Sequence, residues 1–173
     1  EAMVTGYTAV LTSPSFLYLQ DKPGRLDDYA LAERLAYFLW NSPPDAELLA
    51  LAKSGQLHEP TTLRQQTDRL LDAPHAQRFV AAFLDYWLEL RKVGVTNPDE
   101  NLYPDYYLDD HLVESAGDET RLFFGELLKR NLPARHVASS DFVFVNERLA
   151  KLYELPPVIG AQFRKVSLPA NSV

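Results

Sequence analysis

The sequence predicts an all-α fold, a helical bundle of about six to eight helices with a small irregular or β-containing C-terminal end. Three observations carry that prediction. Apolar residues recur with the helical period, most clearly at Leu31, Leu35, Phe38 and Leu39 with Ala32 and Ala36 beside them. Short connections rich in Pro, Gly, Asn and Asp separate the periodic segments, which favours antiparallel neighbours. A β-prone run, Phe142-Val143-Phe144-Val145, interrupts the helical pattern only near the C-terminus.

The elements follow in order. Residues 2–12 read as a first helix, apolar at Val4, Tyr7, Ala9, Val10 and Leu11 and stopped by Ser13-Pro14. Residues 20–25 are a polar turn around Pro23-Gly24. Asp27 or Asp28 then caps a strong helix that runs to about Trp40. The corner Asn41-Ser42-Pro43-Pro44-Asp45 follows. Its wording expects Ser42 as N-cap, Pro43 at the first helical position and Asp45 three residues on, a variant of the capping box. That helix spans residues 43–53, is apolar at Leu48, Leu49 and Leu51, and ends at Gly55, a left-handed C-cap.

Glu59-Pro60 opens a more polar helix with Leu63, Leu70 and Leu71 inward, broken by Pro74. Residues 75–91 form the most hydrophobic helix. Phe79, Val80, Phe83, Leu84, Trp87, Leu88 and Leu90 give it a wide apolar face, expected at the centre of the bundle. Residues 94–104 are irregular. Residues 109–130 read as a long helix, with Asp109 and Asp110 at its positive end and Lys129 and Arg130 at its negative end. Gly117 and Gly125 mark a bend or a close crossing. In the tail, the run 142–145 alternates as a strand, Asn146 caps a helix over 148–155, and residues 162–168 form a second short strand.

Composition bounds the chemistry. A chain of 173 residues with 46% hydrophobic and 24% charged residues is ordinary globular material. A formal net charge of −7, with Lys and Arg scattered, argues against nucleic acid or an anionic membrane surface as partner. The absence of Cys rules out disulfides, thiolate zinc sites, iron–sulfur clusters and C-x-x-C-H haem attachment within these residues. No apolar run approaches the roughly 18 residues of a spanning helix, so membrane insertion is not expected. The chain opens on Glu1, as a segment of a longer protein would.

Few residues suggest chemistry. His111 and Glu114 lie three apart on one helix between Asp110 and Asp118, the spacing of a metal or acid/base pair. Di-iron bundles use Glu-x-x-His repeated on a second helix, whereas here the order is reversed and unrepeated. The plainer reading is a solvated acidic helix start. Asp141 and Glu147 flank the β-prone run and are the other weak catalytic candidates, as paired carboxylates. Asp99-Glu100-Asn101 with Asp105 fails as a calcium loop, because Tyr103 and Pro104 fill the fifth and sixth places; an Asx turn is expected instead. His58, His75 and His136 have no partner at ligand spacing and read as surface residues. Ser13, Ser42 and Ser139 lack a G-x-S-x-G setting. Tyr103, Tyr106 and Tyr107 with Trp40, Trp87 and Tyr86 suggest an aromatic platform, or core and loop anchors. No metal and no cofactor is expected in this segment.

Several stretches resemble a known family. They are Thr12-Ser13-Pro14-Ser15-Phe16-Leu17-Tyr18, Leu26-Asp27-Asp28-Tyr29-Ala30-Leu31-Ala32, Leu35-Ala36-Tyr37-Phe38-Leu39-Trp40-Asn41-Ser42-Pro43-Pro44-Asp45 and Asp141-Phe142-Val143-Phe144-Val145-Asn146-Glu147-Arg148-Leu149-Ala150. The chain is similar to planctomycete-type multidomain proteins in which uncharacterised, planctomycete-specific domains accompany a cytochrome c-like module. The resemblance implies that residues 1–20 are the tail of a preceding domain, a helix packed on the main body. It implies that 26–168 is one helical domain and that 169–173 start a linker to a further domain. It also implies periplasmic or secreted placement, with neighbouring domains and a c-type cytochrome module as partners, and no catalytic residue. The expected function is a non-catalytic structural or interaction module; the alternative is an enzymatic domain acting on polysaccharide or another extracellular polymer through a carboxylate cluster.

Overall fold

The computed structural model describes residues 1–19, 23–95, 99–104 and 109–168. Its described residues are mainly helical, with one small antiparallel sheet near the C-terminus, as the periodicity predicts. The chain divides into two compact units, Glu1–Ala76 and Gln77–Val173, a division that falls inside the 26–168 segment.

The first unit holds α1 (Ala2–Leu11), α2 (Pro14–Leu17), α3 (Asp28–Trp40), α4 (Ala46–Ser54), α5 (Pro60–Asp72) and a 3-10 turn at Pro74–Ala76. Asp27 caps α3, its carboxylate accepting from the Ala30 N–H at 2.8 Å. Ala32 and Ala36 are fully buried in the middle of α3, and these small side chains let α4 and α5 pack close. Leu39, Trp40, Leu48, Ala52, Leu57 and Leu70 complete the core. The period therefore finds the right face, but Phe38 on its edge stays exposed.

One expectation is corrected here. The helix after the corner starts at Ala46, not Pro43, and its N-cap is Asp45, accepting from the Leu48 N–H at 2.9 Å. The reason is the paired prolines. A residue before Pro is disfavoured in the α region, which counts against a helical start at both Ser42 and Pro43, and the cap moves three residues on. The preceding helix ends at Asn41 in the left-handed conformation, its N–H bonded to the Tyr37 carbonyl. All ten residues of α1 are exposed.

The second unit holds α6 (Gln77–Trp87), a 3-10 turn at Leu90–Lys92, α7 (Asp110–Lys129), a 3-10 turn at Ala134–Val137, β1 (Phe142–Val145), α8 (Glu147–Leu152) and β2 (Arg164–Ser167). The helix expected over 75–91 is shorter, because Pro74 imposes a 3-10 entry and Glu89 turns left-handed at φ 53°. Of its wide face only Val80 and Leu84 are buried, while Phe83, Trp87 and Leu88 remain exposed. Phe79, Phe83 and Trp87 form a ridge along α6, and Phe124 of α7 stacks on Phe83 at 5.4 Å.

The long helix α7 is as expected, with Asp109 at its N-cap position. Neither glycine marks a close crossing: a Cβ at Gly125 would meet nothing, and one at Gly117 would meet only the Arg121 side chain. β1 pairs antiparallel with β2 in the register Phe142↔Ser167 to Val145↔Arg164. Instead of one face buried in alternation, β1 buries its two ends, Phe142 and Val145, because α7 and α8 both contact it. Val145, Leu149, Ala150, Leu112 and Val158 form the core of this unit.

Candidate functional site

The second unit carries a groove of about 460 Å³ between α7, the segment leading into β1, and Leu168. Its floor derives from the inward stripe of α7. Leu112, Ser115, Glu119, Phe123 and Leu127 recur every three or four residues, so Glu119 is a carboxylate placed among core positions. Thr120 is tied back to the Ala116 carbonyl at 3.0 Å. From the opposite side come His136, Ser139 and Phe142, with Phe123 and Phe142 ring to ring at 5.1 Å.

Glu119 is the distinctive group. Burial raises its carboxyl above the usual value of 4.5, opposed by the Tyr153 hydroxyl, which donates to Oε2 at 2.7 Å. No cation among the described residues pairs with it. Burial, reinforced by the bond to Glu119, in turn pushes the Tyr153 hydroxyl upward. The buried Nδ1 of His136 has no hydrogen-bond partner. On the far side of His136 and Phe142 lies a smaller pocket of about 270 Å³ that includes Arg130, Asp141 and Lys165. Glu126 closes its cations: one oxygen accepts from Lys165 at 2.7 Å and from Arg130 at 2.9 Å, which holds its carboxyl below the ordinary range.

The residues singled out from the sequence are not brought together. His111 and Glu114 do meet, at 3.2 Å, but both side chains are more than 70% exposed on the first turns of α7. Asp118 turns to Arg121 at 3.3 Å. Asp141 and Glu147 sit at opposite ends of β1. Asp141 is exposed, and its backbone carbonyl accepts from the Leu168 N–H at 2.7 Å. The Glu147 carboxylate accepts from the Gly160 N–H at 2.8 Å and its own N–H donates back to the Gly160 carbonyl, so it pins a loop. Asp99 makes the expected Asx turn, accepting from the N–H groups of Asn101 and Leu102. Asp105, Tyr106 and Tyr107 lie outside the described residues. His58 is half-buried and held at 2.8 Å from the Leu26 carbonyl, whereas His75 is exposed, as expected, with its ring 5.2 Å from that of Trp40. Among the described residues no group of three or more His, Asp or Glu is placed to hold a metal ion. Glu119 and Tyr153 were missed by spacing arguments; the available signal was a carboxylate on an otherwise inward stripe.

The family whose sequence model is described as "PSD4: Protein of unknown function (DUF1592)" matches residues 26–155, a stretch that runs through both units. No curated protein and no solved structure matches the chain.

Proposed function

The chain belongs to the PSD4 family of proteins of unknown function (DUF1592), and from that premise we propose that it is a non-catalytic interaction module of a larger secreted or periplasmic protein. One observation carries this reading. Residues 2–19 contain no charged side chain, and the helices they form stand open. On α1, Met3, Val4, Tyr7, Val10 and Leu11 follow the i, i+1, i+4, i+7, i+8 rule and are 53–71% exposed. The back of the helix carries only Ala2, Thr5, Gly6, Thr8 and Ala9. A stripe of that kind suits a helix laid into an apolar groove.

Phe16, Leu17, Tyr18 and Leu19 extend the surface. A standard interface takes about 800 Å² from each partner, and nine large apolar side chains exposed at 40–71% supply surface on that scale. The expected occupant is the apolar face of a neighbouring domain of the longer polypeptide. Association with a c-type cytochrome module is part of the same proposal and rests on the sequence resemblance alone.

Hydrogen exchange tests the reading. In the longer polypeptide the amides of residues 5–11 should exchange far more slowly than in this chain alone. Equal exchange in both would end the proposal. The haem association has its own readout, a haem absorption band that travels with the longer protein through purification.

A further inference from the structure

The groove along α7 is chemically lopsided. Glu119 offers a half-buried carboxylate with no cation beside it among the described residues. His136 and Ser139 line the same groove, and the buried His136 Nδ1 has no partner among the described residues. Phe123 and Phe142 supply ring surface, and Leu168 the remaining apolar wall. An imidazole nitrogen, a hydroxyl and a carboxylate can each accept a hydrogen bond, and aromatic faces attract cations. Phe142 already shows that preference, with the Lys165 ammonium 3.8 Å from its ring centroid. That lysine is itself committed to Glu126 and lines the smaller pocket, so it does not neutralise Glu119.

We propose that this groove binds an organic primary ammonium group carried on an apolar or aromatic stem, with Glu119 as counter-ion, His136 and Ser139 as further acceptors, and the Phe123 and Phe142 rings against the stem. The chemistry excludes its competitors. An anion would face Glu119 with no cation among the described residues to offset it. A purely apolar ligand would desolvate the carboxylate further and leave it only the Tyr153 hydroxyl. A hard metal ion would need several more oxygen ligands than Glu119 provides. A primary ammonium carries three N–H donors, one for each acceptor type in the groove. The elevated carboxyl of Glu119 is the state expected of such a site before its counter-ion arrives. This site shares no residue with the α1–α2 surface, so either proposal can fail alone.

The test compares two molecules of nearly the same shape, benzylammonium and benzyl alcohol, titrated into the intact chain and followed by NMR. Benzylammonium should perturb Glu119, Phe123 and His136 and bind at least about tenfold tighter than the alcohol, the scale of one charge-assisted contact. Glu119→Gln, which keeps an acceptor for Tyr153, should remove that tenfold preference. A second arm uses Nα-acetyl-lysine amide: tighter binding than benzylammonium assigns the ammonium to a lysine side chain, weaker binding to a free small amine. Equal binding of amine and alcohol, binding of neither, or an unchanged preference in Glu119→Gln would each overturn the proposal.

Discussion

Asp45 in the first unit and Glu119 in the second show two fates of a half-buried carboxylate. Asp45 caps α4 and also accepts a two-pronged bond from Arg69, at 2.7 and 3.1 Å. Arg69 in turn donates to Gln66 at 2.8 Å, approaches Glu47 at 3.3 Å and lies 5.6 Å over the Trp40 ring. Gln66 is buried and donates to Glu47, while the Trp40 indole N–H donates to the Leu70 carbonyl. The polar groups joining α3, α4 and α5 thus satisfy one another. Among the described residues Glu119 has one hydroxyl partner and no cation. The first arrangement welds helices together, whereas the second leaves an unmet demand facing a groove. Satisfied networks specify a fold, and unsatisfied ones point towards ligands.

Removing the centre of the weld should give the largest effect. Arg69→Ala takes the cation from Asp45 and Glu47 and the donor from the Gln66 oxygen, and strips the cover from Trp40. Arg69 and Asp45 are about a third exposed, so solvent offsets part of the loss. The expected cost is about 2 kcal/mol, read as a lower denaturation midpoint with unchanged slope. Arg69→Lys should recover only part, since an ammonium cannot reproduce the planar fork. A cost below about 0.5 kcal/mol for the alanine variant would reduce the network to surface decoration.

The second unit has its own satisfied polar group. Asn146 is buried, its side-chain oxygen accepting from the Leu149 N–H at 3.1 Å and its amide donating to the Ser115 hydroxyl at 2.7 Å. Asn146→Ala should cost about 1 to 2 kcal/mol in a melting experiment, the loss of a cap plus the buried bond to the Ser115 hydroxyl, which keeps its own bond to the His111 carbonyl. Ser115→Ala should cost less, because the cap survives. Equal losses for the two variants would show that the cap itself contributes little.

Those two polar groups differ in how readily the sequence discloses them. Asn146 stands between an alternating run and a helical one, so its cap is readable locally; its partner Ser115 is 31 residues away and is not. Asp27 and the α3 stripe are readable for the same reason. The Arg69–Asp45 pair spans 24 residues, and no local pattern marks it. The Ser42–Pro43 cap is misread because the steric rule for residues before proline outweighs hydroxyl capping. Phe38 and Phe83 mislead differently. Periodicity names the inward face of a helix, but how much of that face is covered depends on neighbours the helix itself does not encode. Glu119 was legible only in part: its position on the stripe is visible, its lack of a cation is a tertiary fact.

Acid and base should separate the two carboxylates by sign. The bond from Arg69 holds Asp45 below its ordinary 3.8. A depressed carboxyl contributes stability that is complete above 3.8 and is lost as pH falls from there through the folded value. Glu119 is raised from 4.5 by burial, so its folded form holds a proton that the unfolded form has released. It therefore subtracts stability as pH rises from 4.5 through the folded value. Unfolding free energies measured across pH should show Asp45→Asn, which keeps the cap, flattening the acid limb below 3.8. Glu119→Gln should flatten the decline above 4.5 instead. The same sign of change in both variants would collapse the contrast.

The smallest effect is the most informative about the groove. At neutral pH Glu119→Gln removes a charge that has no cationic partner among the described residues, while keeping an acceptor for the Tyr153 hydroxyl. Stability should stay level or rise by about 0.5 kcal/mol, against the usual direction for a substitution at a half-buried site. Tyr153→Phe should do the reverse, because it takes away the one bond that eases the buried carboxylate, and the Glu119 carboxyl should move further up in an NMR titration. Measured together, a gain from the first and a loss from the second place the cost on the unpaired charge. A clear loss from Glu119→Gln would mean that the carboxylate contributes to the fold, and that the groove makes no demand for a counter-ion.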